Sequence, residues 1–232
     1  MTWKNSLATQ PNWSGEISRL DEKKSVAEKV SRFVEDGDVI GVGSGSTSYL
    51  AVQAIAERVK KEKLNVEAIP TSHESLINCS YFGLKTTTLA SARPTWGFDG
   101  ADEVDDHKRL IKGRGGALFA EKLVMASSPK TYILVDESKF VSRLGEKFAV
   151  PIEIDPRAIH LVETALTDYP VEKVKLRMAE AKDGPLITEK GNLILDVRFS
   201  RIDVGLEKEL GAIPGVIETG LFIGYPVEIL TM

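Results

Sequence analysis

Between residues 19 and 35, Leu20, Val26, Ala27, Val30, Phe33 and Val34 recur at helical spacing, and Asp36-Gly37 breaks the run. The pattern predicts an amphipathic first helix. Val39-Ile40-Gly41-Val42 then reads as a short buried strand, which passes through Gly43-Ser44-Gly45-Ser46-Thr47 into a helical pattern over 49–63. Further strands are predicted at 66–69, 84–89, 96–98 and 132–135, with helices at 75–82, stopped by Gly83, and at 117–126. Strand alternating with helix predicts an α/β domain: a Rossmann-like, mostly parallel sheet with right-handed crossovers and helices on both faces.

Near Gly145 the pattern changes. Strand 150–154, helix 157–167, strands 173–179 and 192–199, helix 205–210 and strand 216–223 follow in the order βαββαβ, a small α+β unit of the ferredoxin-like kind. A last apolar run, 227–230, is left to rejoin the first sheet. The expected organisation is a loose leader over 1–18, a main α/β domain of 19–145 and 224–232, and a ferredoxin-like domain of 146–223.

Two stretches carry chemistry. In the first, the glycines of 43–47 let the backbone turn tightly toward a ligand, free N–H groups of the following helix point outward, and Ser46 and Thr47 add hydroxyls. A phosphate can be held there without a metal. A dinucleotide fingerprint fails because position 48 is Ser, and no Gly-Lys-Ser/Thr completes a Walker loop. In the second, Asp99, Asp102, Glu103, Asp105 and Asp106 crowd into eight residues, followed by Lys112-Gly113-Arg114-Gly115-Gly116 and Glu121. Asp99 stands where a strand ends, the place where α/β sheets form ligand crevices. Asp99, Asp102 and Glu121 are expected to face such a cleft, whereas Asp105 and Asp106 fit a solvated turn. Lys139 follows another strand end and adds a cation.

Composition narrows the classes without choosing one. The 232 residues are 42% hydrophobic and 28% charged, ordinary for a globular chain, and the net charge of -4 includes no basic block that would recommend nucleic acid. A single cysteine, Cys79, excludes an internal disulfide and fits a reducing cytosol, so a cytoplasmic location is expected. His73, His107 and His160 are scattered without metal-ligand spacing, although His73 follows a strand end and could line the same cleft. No signal-peptide core is present, and no run approaches the about 20 apolar residues of a membrane span.

A phosphate cradle, carboxylates and the cations Lys112 and Lys139 suit aldose-ketose isomerisation of a sugar phosphate. One carboxylate removes a proton beside a carbonyl, a cation holds the enediolate, and a second acid moves protons between the oxygens. Glycoside hydrolysis would need no phosphate cradle, and Mg²⁺-dependent phosphoryl transfer is left open by the residues alone.

The same motifs carry a resemblance. Gly43-Ser44-Gly45-Ser46-Thr47, Asp99-Gly100-Ala101-Asp102-Glu103, Lys112-Gly113-Arg114-Gly115-Gly116-Ala117, Glu121-Lys122 and Asp136-Glu137-Ser138-Lys139 stand in the order and spacing of the ribose-5-phosphate isomerase A family. The chain resembles that family from about residue 20 to residue 223. The resemblance implies that Glu121 is the general base, with Asp99, Asp102 and Lys112 around the reacting end of the sugar. It assigns the phosphate end to Ser44, Gly45, Ser46, Thr47 and Lys23, and further substrate contacts to Gly100, Ala101, Gly113, Arg114, Gly115 and Lys139. It further implies a metal-free and cofactor-free enediolate mechanism on ribose 5-phosphate and ribulose 5-phosphate, a ferredoxin-like lid, and a homodimer or homotetramer. Two positions depart from the family pattern. Ser44 stands for a usual Thr, a small change, and Arg114 for a usual Gly, a long cation able to alter which sugar phosphate fits. The alternative class, a sugar-phosphate sensor, would carry a DNA-binding helix pair ahead of the domain, for which residues 1–18 are short and not basic.

Overall fold

The apolar runs ending at Val42, Asp99 and Leu134 lie side by side in one parallel sheet of the computed structural model, which describes Trp13 and residues 15–232. Most of the expected leader, residues 1–12 and 14, lies outside the described residues. The chain divides into two compact units. The first takes in the residues to Gly100 together with Leu123–Ser138 and Pro226–Met232; the second comprises Ala101–Lys122 and Lys139–Tyr225.

The first unit is built on six strands: β1 (Val39–Val42), β2 (Glu67–Pro70), β3 (Lys85–Thr86), β4 (Trp96–Asp99), β7 (Thr131–Leu134) and β13 (Val227–Leu230). Their order is β13-β7-β4-β1-β2-β3, and every neighbouring pair is parallel. Parallel strands need crossovers that cover the sheet, which is why the central runs β1, β4 and β7 are mostly buried, while the edge strands β3 and β13 carry Lys85 and Glu228 and are exposed or half-buried. The helices α1 (Leu20–Ser31), α2 (Ser46–Glu62) and α3 (His73–Phe82) supply Val26, Val30, Leu50, Ile55 and Cys79 to a core shared with Ile40, Val42, Phe98 and Leu134. Burial pushes the Cys79 thiol up to about 12, so it stays protonated as a small apolar filler. The predicted strand 84–89 shrinks to two residues. The helix expected from 49 begins at Ser46, inside the glycine turn.

The second unit contains the βαββαβ run. Strands β8 (Val150–Ile154), β9 (Val171–Leu176), β10 (Leu193–Phe199) and β11 (Val216–Thr219) form an antiparallel sheet in the order β11-β8-β10-β9, with helices α5 (Ile159–Ala165) and α6 (Leu206–Gly211). Fourth, first, third, second is the ferredoxin-like order. Its core gathers Val150, Ile152, Ile154, Val162, Val197, Phe199 and Leu210. The helix predicted over 157–167 is really a short α-helix between two 3-10 turns, Pro156–Ala158 and Leu166–Asp168.

The strand predicted over 216–223 breaks at Gly220. Its second part, β12 (Leu221–Phe222), pairs with β6 (Leu110–Ile111), which pairs with β5 (Glu103–Val104), making a small antiparallel sheet that periodicity did not reveal. Two of the clustered acids support it. Glu103 is fully buried and accepts backbone N–H bonds from Gly145, Lys147 and Phe148 at 2.7, 2.6 and 2.6 Å. Asp105, expected in a solvated turn, is instead buried. One oxygen takes the N–H groups of His107 and Arg109 and the other takes the Arg109 Nε at 2.6 Å. A buried carboxylate is tolerable only when its oxygens are bonded in this way. Asp106 is exposed as expected.

Candidate active site

In the first unit the expected phosphate cradle is assembled from three strand ends. Strand β1 stops at Val42, and the Gly43 N–H donates to Phe98 O of β4 at 2.9 Å. A side chain at 43 would force its surroundings to move: a Cβ there would lie 2.7 Å from Asp99 Cα and closer still to its carboxylate. Ser44 Oγ is 3.0 Å from Thr71 Oγ1 and 2.6 Å from Ser72 Oγ, which ties the turn to the end of β2. Gly45 is the N-cap of α2, and Ser46 and Thr47 open that 17-residue helix. No acidic residue stands in its first turn, so the positive end of the helix dipole is not offset by its own sequence. The Lys23 ammonium of α1 reaches Ser46 Oγ at 3.0 Å and Ser18 Oγ at 3.3 Å, and so adds a full positive charge beside the helix end.

Three residues of this region were missed by sequence reasoning. Thr71 and Ser72 lie between the strand predicted at 66–69 and the helix predicted at 75–82. Ser72 is in fact the N-cap of α3, in a capping box with Ser75, while its hydroxyl also receives Ser44. The spacing Ser72-x-x-Ser75 ahead of a helical run was the available signal. Glu74, in the first turn of α3, accepts the N–H of Gly45 at the start of α2 at 3.2 Å, a contact between two helix ends that no local pattern announces. His73 is exposed in the first turn of α3. Asp99, the last residue of β4, is 3% exposed, and its Oδ1 accepts the Gly100 N–H at 2.7 Å.

In the second unit, Lys112 follows β6 directly and Glu121 lies in the first turn of α4 (Leu118–Ser127), a helix whose later residues belong to the first unit. Lys112 Nζ and Glu121 Oε2 are 3.2 Å apart, with side chains only 3% and 7% exposed. The Lys112 backbone is fixed by its N–H bond to Gly220 O at 2.9 Å. Gly113 must be glycine, because φ is +100° and a Cβ would sit 2.8 Å from that of Leu118. Gly115 is exposed with open space around it, so nothing local requires a glycine there.

Arg114 has a φ outside the left-handed region, so its backbone is unstrained. Its side chain is exposed, and its N–H donates to the half-buried Asp102 at 3.2 Å. Both residues line a concavity of 1030 Å³ together with Gly115, Phe148, Arg177 and Met178. Lys139 is half-buried in a 3-10 turn, with its ammonium 5.6 Å from the Phe148 ring centre. The cradle residues and Asp99 thus belong to the first unit; Ala101, Asp102, Lys112, Arg114, Glu121 and Lys139 belong to the second.

Next to Glu121, Lys122 turns the other way. Its ammonium is bound by Glu207 at 2.7 Å, Glu218 at 2.8 Å and Leu221 O at 2.7 Å, and lies 4.7 Å from the Phe222 ring centre. This pins the first turn of α4 against β11 and β12 and holds the Glu121 backbone still. A carboxylate 3.2 Å from an ammonium, both almost dry, brings a proton acceptor next to a cation that can meet an oxygen on which negative charge grows. Among the described residues, no three His, Cys, Asp or Glu side chains come together as a metal site.

Comparison with known proteins points the same way. The family model for ribose 5-phosphate isomerase A (phosphoriboisomerase A) matches residues 67–231. A ribose-5-phosphate isomerase A from Synechococcus sp. is 44% identical over 206 residues, which cover 87% of this chain and 88% of the relative. One from Methanocaldococcus jannaschii is 43% identical over 209 residues, covering 89% and 92%. The solved structure of the Methanocaldococcus jannaschii ribose 5-phosphate isomerase A superposes with a TM-score of 0.89 at 39% identity, over 93% of this chain and 99% of that one. A D-ribose-5-phosphate isomerase in complex with phospho-erythronic acid gives 0.88 at 37% identity, over 92% and 95%.

Proposed function

The chain belongs to the ribose 5-phosphate isomerase A family and interconverts D-ribose 5-phosphate and D-ribulose 5-phosphate, and we propose that it does so by metal-free proton transfer on the opened sugar. Glu121 removes the proton from C2 of the aldose, and the electron pair moves through the new C1–C2 double bond onto the carbonyl oxygen. Lys112 faces the oxygen that becomes negative. Asp102, with Asp99, passes a proton between O1 and O2, and return of the abstracted proton to C1 gives the ketose. The observation that carries this assignment is the buried Lys112–Glu121 pair at 3.2 Å. Dehydrating two charges is costly, and a protein that only bound sugar phosphate would gain nothing from a base at that position.

The phosphate is assigned to the start of α2, with Ser46, Thr47 and Lys23 as donors, Gly45 as the point of close backbone approach and Ser44 as the hinge of the turn. Gly100, Ala101, Gly113, Gly115 and Lys139 are assigned to the rest of the sugar. One structural relative is solved in complex with phospho-erythronic acid, a phosphorylated sugar acid, which supports a sugar phosphate as the substrate here. From the family resemblance we assign a homodimer or homotetramer in the cytoplasm. No helix among the described residues is long and apolar enough to cross a membrane.

The test is incubation of chelator-treated protein with ribose 5-phosphate and a panel of other aldose phosphates, following ketose formation. The rate on ribose 5-phosphate is expected to survive chelation. Loss of activity restored by Mg²⁺ or Mn²⁺ would overturn the metal-free mechanism.

Arg114 gives a second reading its one observation: an unstrained backbone with the guanidinium on the concavity that Asp102 also lines. A guanidinium there can donate to sugar hydroxyls in a way that glycine cannot. Arg114→Gly is expected to change the ratio of kcat/KM between ribose 5-phosphate and its best competitor by at least about fivefold, near 1 kcal/mol. An unchanged ratio and rate would make Arg114 a surface substitution without effect on substrate choice.

A further inference from the structure

The glycine loop poses a mechanical problem. Lys112 must keep its ammonium against Glu121, yet the next four residues are Gly113, Arg114, Gly115 and Gly116, the composition with the greatest conformational freedom. Two hydrogen bonds of the loop backbone restrain it: Gly116 N–H bonds to Gly113 O at 3.0 Å, and Arg114 N–H bonds to Asp102. A third restraint comes from a distant part of the chain.

Arg177 stands just past the end of β9. Its Nη1 donates to Gly113 O and to Arg114 O, both at 2.9 Å. Its Nε donates to Asp196 Oδ2 at 2.9 Å, and its Nη2 donates to Asp196 Oδ1, so one face of the guanidinium is fixed to β10 while another grips the loop. The side chain is 14% exposed. Its backbone is tied as well: Arg177 N–H goes to Ile194 O at 2.9 Å, and Arg177 O accepts from Leu186 N–H at 2.9 Å. The Arg114 peptide unit is therefore held at both ends, its N–H side by Asp102 and its carbonyl by Arg177.

We propose that Arg177, oriented by Asp196, is a positioning residue for the isomerisation, holding the Gly113-Arg114 backbone so that Lys112 and Asp102 keep the places the proton transfer requires. This rests on the assignment of Glu121, Lys112 and Asp102 above. The ferredoxin-like sheet does not need the clamp for its register, since β9 pairs with β10 through Leu176 and the residues before it. Lysine cannot replace arginine here, because one ammonium cannot reach two loop carbonyls and both oxygens of Asp196 with the same geometry. A shift of about 1 Å in a positioned group is enough to lower a rate about 10²-fold.

The test uses the full chain with Arg177→Ala, Arg177→Lys and Asp196→Asn, and Glu121→Gln alongside. Arg177→Ala is expected to lower kcat 10- to 100-fold while KM changes by less than about threefold, because the residues assigned to the phosphate lie elsewhere in the chain. Arg177→Lys should also lose about tenfold, and Asp196→Asn less than either, since the loop contacts remain. Millimolar guanidinium or ethylguanidinium should restore Arg177→Ala at least about fivefold and leave the wild type unchanged, whereas methylammonium should do nothing. A kcat for Arg177→Ala within twofold of wild type overturns the inference. So does a loss that guanidinium does not relieve and that Arg177→Lys escapes. Should Arg177→Ala not fold, the Arg177→Lys and Asp196→Asn kinetics decide alone. Normal turnover by Glu121→Gln would instead overturn the underlying catalytic assignment, whatever the Arg177 variants do.

Discussion

Glu121→Gln is expected to turn over at least about 10²-fold more slowly than the wild type, about 2.7 kcal/mol of barrier, with KM changed by no more than about threefold. The amide keeps the shape of the carboxylate and one acceptor oxygen for the Lys112 ammonium 3.2 Å away, so packing around α4 is preserved. It cannot take a proton from carbon. Because the residue sits in a nearly dry place, water is poorly placed to substitute as base, and the loss falls on the chemical step. The measurement is kcat on ribose 5-phosphate together with loss of deuterium from C2-labelled substrate into solvent, which should slow in parallel. Near-normal turnover would move the base to another residue, with Asp102 the first to test. Thermal stability should fall as well, since the substitution deprives Lys112 of a charged partner, and breaking a buried pair is more costly than never having made it.

Much of this architecture was legible in the chain because the parallel sheet writes itself as short apolar runs. Val39–Val42 and the 227–230 run fall where the pattern put them, and the ferredoxin-like order follows from the spacing of strands after Gly145. What the pattern missed is short or tertiary. Strands β5, β6 and β12 are two residues each, too brief for any period, and they exist because Glu103 and Leu221 find partners far along the chain. The acids of 99–106 look alike in sequence. Glu103 and Asp105 turn out to hold backbone and Arg109, and only Asp105-x-x-x-Arg109 had a local spacing that hinted at it. Glu121 was singled out by the motif around it, and the structure puts it beside Lys112, whereas Lys122 with Glu207 and Arg177 with Asp196 depend on strand register and could not be seen from spacing. Thr71 and Ser72 were passed over for a simpler reason: hydroxyls at a strand end resemble any turn until Ser44 is found bonded to them.

Gly43→Ala should cost both stability and activity, and for one steric reason. Strands β1 and β4 run parallel with Val42 opposite Phe98, so the residue after each strand meets its neighbour at the same sheet edge. Gly43 is pressed against Asp99 there: an added methyl carbon would stand 2.7 Å from Asp99 Cα and nearer still to its carboxylate, where no rotamer change can relieve the backbone part of the clash. Either β1 and β4 separate, weakening the 2.9 Å bond from Gly43 N–H to Phe98 O, or Asp99 is displaced from the end of its strand. Overpacking of this kind costs about 1–3 kcal/mol. For a chain of this length that lowers the melting midpoint by roughly 2–4 °C per kcal/mol. The functional loss should exceed the stability loss, because Asp99 on one side of Gly43 and the Ser44–Thr47 turn on the other both shift. On the proposed assignment of Asp99 to the proton transfer, a displacement near 1 Å is expected to lower kcat/KM about 10²-fold. Circular dichroism melts and kinetics on the same preparation check the prediction at a temperature where the variant is still folded. A variant with unchanged melting and kcat/KM would mean that the sheet edge yields without moving Asp99, and the close packing of Gly43 on Asp99 would then have no part in building the site.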